Sequence, residues 1–206
     1  MRDEVLKIIN NPKIKEPIDK INFLYRKLTT ESAKNEFNIA LRSIAMFGTD
    51  REKFITLYFI SYIKKVTEYE EVIKFNVGNI DIRGDESLIG ELLSLCSEIA
   101  KDWCIEFINR VMNAYKSEKN VYLYTQAISC ITRTPYWSQY INEINYTLLN
   151  SKESWYFIHF FAYFKWTKSE TEWKKLLTII DKRIKESFVE LEPFIEKRYQ
   201  SFAEFI

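Results

Sequence analysis

Apolar residues recur with a helical period along most of this chain. Trp173, Leu176, Leu177, Ile180 and Ile184 follow the i, i+3, i+4, i+7, i+11 pattern of one buried helix face. Trp103, Phe107, Val111 and Ala114 form a second stripe, and Leu88, Leu92, Leu95, Cys96 and Ile99 a third. Residues 155–166 are apolar nearly all round (Phe157, Ile158, Phe160, Phe161, Ala162, Phe164), which predicts a central helix. Residues 121–132 are rich in β-branched side chains, yet they keep the helical register and are predicted as helix. Residues 76–84 break the pattern. They predict a loop, with a small hairpin around Gly78-Asn79.

Helix starts are expected where Ser, Thr, Asp or Asn precedes an apolar-periodic run, because such a side chain satisfies an orphan backbone N–H. These fall at Thr30, Asp50, Thr67, Asp85, Asp102, Asn120, Thr134, Ser151 and Ser169, mostly 17 or 18 residues apart. Thr67 with Glu70 and Ser169 with Glu172 have the spacing of capping boxes. Pro135 after Thr134 suits a first helical position, and Gly48 suits a helix stop. One such step holds a helix of about fourteen residues, ~21 Å long, and a tight turn. Tight turns make successive helices antiparallel. Trp137, Trp155 and Trp173 repeat the same pitch. The prediction is one all-α domain over 1–206, about ten short antiparallel helices in an irregular HEAT-like solenoid or helical bundle. The likeness lies in architecture, not motif, and carries no function by itself.

Composition narrows the picture further. Thirty basic residues balance 29 acidic ones, so no net charge argues for nucleic acid or an anionic membrane. No apolar run reaches the ~20 residues of a membrane span. The start, Met1-Arg2-Asp3-Glu4, is polar and unlike a secretory signal. Cys96, Cys104 and Cys130, an odd count without CxxC spacing, read as three core thiols in a reducing cytoplasm. Heavy use of Ile, Lys, Asn, Tyr and Phe is the bias of an AT-rich coding sequence.

Chemistry is sparse. The single histidine, His159, lacks a sequence neighbour that would make a nucleophile–base pair and reads as a core or boundary residue. One histidine cannot build HExxH, and four scattered glycines cannot build a phosphate loop. Arg83-Gly84-Asp85 is explained by Asp85 as a cap. Neither a catalytic residue, a metal ligand nor a cofactor is expected.

The unusual stretch is 120–150, where Arg133 and Glu143 are the only charges and tyrosine is abundant. Tyr122, Tyr124, Tyr136, Tyr140 and Tyr146 are candidate partner-binding residues, with Glu143, Glu118 and Glu153 as an acidic rim. Tyrosine-rich, charge-poor surface is the composition of protein interfaces. The same rings could instead wrap a core with their hydroxyls reaching water. Residues 76–150 carry 6 basic and 9 acidic groups, so this part of the chain is mildly acidic. Were the tyrosines core, the binding face would fall to Glu86, Glu91, Glu98, Asp102 and Glu106.

In size, helical class and composition the chain resembles the immunity proteins of bacterial contact-dependent growth-inhibition systems. That resemblance implies a stoichiometric cytoplasmic inhibitor without chemistry of its own. Its partner would be a toxin domain, expected to be a basic nuclease, drawn in by an acidic face. The rival expectations are a HEAT-like DNA-repair glycosylase and a helical scaffold that binds a peptide in its groove. The glycosylase needs a basic groove with Trp and Asp, whereas Asp is absent from 103 to 180.

Overall fold

The computed structural model describes residues 1–116 and 121–150, and these form an all-α fold with no strand among them. The α-helices are α1 (Arg2–Ile9), α2 (Pro17–Arg26), α3 (Glu31–Phe47), α4 (Asp50–Tyr62), α5 (Glu70–Asn79), α6 (Glu86–Ile99), α7 (Asp102–Tyr115), α8 (Val121–Ile131) and α9 (Ile141–Asn150). Short 3-10 turns at Val66–Tyr69 and Trp137–Tyr140 precede α5 and α9. The chain divides into two compact units, Met1–Leu123 and Tyr124–Ile206.

The first unit is a two-layer helical stack. The pairs α1/α2, α3/α4 and α5/α6 each pack internally. The odd helices α1, α3, α5 and α7 pack in sequence as one layer, and α2, α4 and α6 as the other. This is the connectivity of a helix-pair solenoid, with odd helices starting at Arg2, Glu31, Glu70 and Asp102. Between the layers lie Val5, Ile9, Ile21, Phe37, Leu41, Ile44, Leu57, Phe59, Ile60 and Leu92, all essentially inaccessible. Tyr25, Phe37 and Phe59 interlock with ring centroids 5.3–6.3 Å apart, tying α2 to α3 and α4.

Several polar groups inside this stack are paired, whereas the Thr56 hydroxyl and Glu91 Oε1 are buried without a hydrogen-bond partner. The Tyr69 hydroxyl donates to Asn38 Oδ1 at 2.9 Å, and burial pushes the phenol up to about 12. Arg42 covers its ring and donates to the Glu68 carbonyl. Asn76, buried, donates to the carbonyls of Ala45 and Val72 at 2.9 Å. Tyr115 donates to the Ile82 carbonyl.

Thr30 and Asp85 cap α3 and α6 as expected, accepting from the backbone N–H groups of Ala33 and Leu88. Gly48 stops α3. Other expectations need correction. Thr49, not Asp50, caps α4, through a full capping box with Glu52. Thr67 falls within a 3-10 turn and caps nothing, so α5 begins at Glu70. Lys101 precedes α7 and Asp102 is its first residue. In that helix the third residue, Cys104, replaces the usual capping-box Glu, its sulfur taking the backbone N–H of Lys101. The loop predicted at 76–84 is present only from Ile80 to Gly84, and the hairpin around Gly78-Asn79 is overturned. Helix α5 runs on through Asn79, because the Asn76 carboxamide bonds internally instead of breaking the helix. The β-branched run at 121–132 is helical. Cys96, Cys104 and Cys130 are buried free thiols. The predicted caps Asn120, Ser151 and Ser169, the central helix at 155–166 and His159 lie outside the described residues.

Candidate functional site

The five tyrosines are not equivalent. In the second unit Tyr146, on α9, is 63% exposed, while Tyr124, on α8, is 8% exposed. Tyr136 and Tyr140 are half-buried around the 3-10 turn whose Trp137 is buried. Glu143, Tyr146 and Thr147 of α9 surround the Tyr124 hydroxyl. Burial, then the Glu143 carboxylate, raises that phenol's pKa. Tyr146 is an exposed ring one helical turn from Glu143 on α9. In the first unit Tyr122 is 51% exposed. Glu118 and Glu153 lie outside the described residues.

A second aromatic surface, on the first unit, escapes sequence inspection. The solvent-facing strip of α4 is Arg51, Phe54, Tyr58 and Tyr62, spaced at helical intervals. Phe54 and Tyr58 stack at 6.1 Å, and Tyr58 and Tyr62 are each nearly half exposed. On α2 the exposed strip is Asp19, Lys20, Phe23, Arg26 and Lys27, with Lys27 Nζ 4.2 Å over the Phe23 ring. Both strips face away from the odd layer, because each helix buries its opposite side against it. The two helices are parallel. Asn10, ahead of α2, bonds Glu52 at the start of α4, and Tyr25 lies beside Lys65 beyond the end of α4. The Tyr25–Phe59 ring contact joins the two helices. The third helix of this layer, α6, shows Ser87, Glu91, Ser94 and Glu98. Burial, reinforced by Glu98, pushes the Glu91 carboxyl up to about 7.

Other features are local. A cleft of about 240 Å³ holds Asp50, Asp81 and Asp85, but Asp81 and Asp85 accept from the backbone N–H groups of Arg83 and Leu88. An open groove of about 680 Å³ runs beside Phe23 past Lys13, Lys15 and Lys20. On the odd layer Phe47, 70% exposed, leans on Phe75 at 5.7 Å. Among the described residues no three His, Cys, Asp or Glu side chains converge as metal ligands, and no helix is long and apolar enough to cross a membrane. Comparison with family models, curated proteins and solved structures finds no match to this chain.

Proposed function

We propose that this chain is a non-catalytic helical-repeat module whose work is to bind another protein. The observation that carries the reading is the number of large rings left in water. Phe23, Phe47, Tyr58, Tyr62, Tyr122 and Tyr146 are each between 46% and 70% exposed. Leaving such surface unburied forgoes about 25 cal/mol per Å², and surfaces that retain it are the sort used for partner contact.

The narrower form of the proposal is an immunity protein that blocks a bacterial toxin domain, with a basic nuclease as partner. Tyr146 beside Glu143 suits such a surface, an amphipathic anchor with a carboxylate next to it. A nucleic-acid role is less well supported, because the chain has no net basic excess and phosphates crossing the even layer would meet the exposed Glu98 on α6.

The test is co-expression with bacterial toxin domains of the basic nuclease class, scored by cell survival and by titration of the purified pair. The reading expects protection and a stable 1:1 complex that alanine at Tyr122 or Tyr146 weakens. Absence of both protection and complex formation would refute the immunity form. Turnover of a nucleic-acid or glycosidic substrate by the clean protein, lost with one substitution, would refute the non-catalytic reading.

A further inference from the structure

On the even layer α2 and α4 lie side by side and parallel, and their outer strips make one surface. Its rings are Phe23 from α2 and Phe54, Tyr58 and Tyr62 from α4. Phe23, Tyr58 and Tyr62 are 46–59% exposed. From Phe54 to Tyr62 the α4 rings run along about 12 Å, roughly two helical turns.

The charge around these rings is mostly of one sign. Lys20, Arg26 and Lys27 stand on α2, Arg51 opens the α4 strip, and Lys64 follows its end, all of them exposed. Among the described residues none of the five has a carboxylate partner. The loop ahead of α2 adds Lys13 and Lys15 against Glu16. On the strips themselves the exposed carboxylate is Asp19, while Glu52 is engaged by the Asn10 carboxamide and the Thr49 N–H.

Cations around a strip of rings complement a partner with carboxylates around an apolar stripe. An amphipathic helix of that composition suits the groove between two adjacent helices. Single-stranded nucleic acid is the poorer match, because bases stack on open ring faces. Here Lys27 Nζ covers one face of Phe23 at 4.2 Å, and Phe54 and Tyr58 lie against each other at an interplanar angle of 13°. Aliphatic side chains pack on ring edges as readily as on faces, since the hydrophobic effect is not directional.

We infer that the α2–α4 face docks an acidic amphipathic helix of another protein, with its apolar stripe on Phe23, Tyr58 and Tyr62 and its carboxylates on Lys20, Lys27 and Arg51. This partner is separate from the toxin, which is expected to be basic and to meet Tyr122 and Tyr146, so either reading can fail alone.

The probe is a fluorescein-labelled peptide of about fourteen residues, ~21 Å long as a helix. It carries leucine at i, i+3, i+4, i+7 and i+11 and glutamate or alanine elsewhere. Its fluorescence anisotropy is followed as the full chain is titrated to about 1 mM. Wild type is expected to bind with Kd of roughly 10–100 µM, and more weakly as salt is raised. Tyr58→Ser should weaken binding about tenfold, while Tyr58→Phe keeps it. Lys27→Glu and Arg51→Glu should each weaken it about tenfold. Lys74→Glu, at an exposed position of α5 in the odd layer, changes net charge equally and should leave binding unaltered. So should Tyr122→Ala and Tyr146→Ala. Peptides with serine for leucine, or with lysine for glutamate, should bind at least about tenfold more weakly. An unchanged melting curve verifies that each variant is folded. No binding up to about 1 mM overturns the inference. So does equal binding of either altered peptide, affinity indifferent to Tyr58→Ser and to both charge reversals on α2 and α4, or an oligothymidylate that binds more tightly than the acidic peptide.

Discussion

Replacing Glu91 with Gln should make the protein more stable, and more so as the pH rises. Glu91 sits on the outer strip of α6 with little access to water, and its Oε1 is buried with no hydrogen-bond partner. Burial and the nearby Glu98 lift its pKa from 4.5 to about 7. The folded protein therefore keeps this proton up to about pH 7, whereas the unfolded chain releases it near 4.5. Between those values the folded state binds more protons, so stability falls as pH rises and levels off above about 7. At ~1.4 kcal/mol per unit, ionising the buried carboxyl costs on the order of 3–4 kcal/mol. Glu91→Gln removes that cost. Melting wild type and variant side by side from pH 4 to 8 should show near-equal Tm at pH 4. At pH 8 the variant should lead by up to ~6–16 °C, at roughly 2–4 °C per kcal/mol for a chain of this size. A gap that stays constant with pH, or a variant that melts lower at pH 8, would refute the reasoning.

Other substitutions probe separate parts of the account. Tyr124→Ala should lower stability by about 3 kcal/mol or more, while Tyr146→Ala should change it by less than about 0.5 kcal/mol, as read by urea titration. Thr49→Ala opens the capping box of α4 and should cost about 1 kcal/mol in the same assay. Gly48→Ala should cost roughly 1–3 kcal/mol, because a Cβ there would lie 2.6 Å from the Ile44 carbonyl oxygen, and a melting curve equal to wild type would contradict the close approach.

What was legible in the sequence was local. Thr30 and Asp85 announce their helices because a short acceptor side chain stands ahead of an apolar stripe. The helices α1 and α2 escape that search because Met1 and Glu16 make no side-chain cap. The start of the 76–84 segment, residues 76–79, misled for a physical reason. Asn76 and Gly78 have poor helix propensity, but two carbonyls waiting for the Asn76 carboxamide override it. The candidate surfaces were half visible. Tyrosine enrichment in 120–150 can be counted, but only packing separates exposed Tyr146 from buried Tyr124. On α4 the spacing of Phe54, Tyr58 and Tyr62 is in the sequence. The packing of α2 on α4 depends on contacts between residues distant in sequence, such as Asn10–Glu52, 42 residues apart, which sequence spacing does not reveal.

The most direct test of the protein-binding reading is calorimetric titration of a purified basic nuclease toxin domain, the proposed class of partner, into wild type, Tyr122→Ala, Tyr124→Ala and Tyr146→Ala, with a melting curve for each. The account predicts that Tyr122→Ala or Tyr146→Ala loses about 2 kcal/mol of binding, near thirtyfold in affinity, at unchanged Tm. Tyr124→Ala should instead lose stability first. Affinity unchanged by both exposed-tyrosine variants, or lost only in step with Tm, would contradict it.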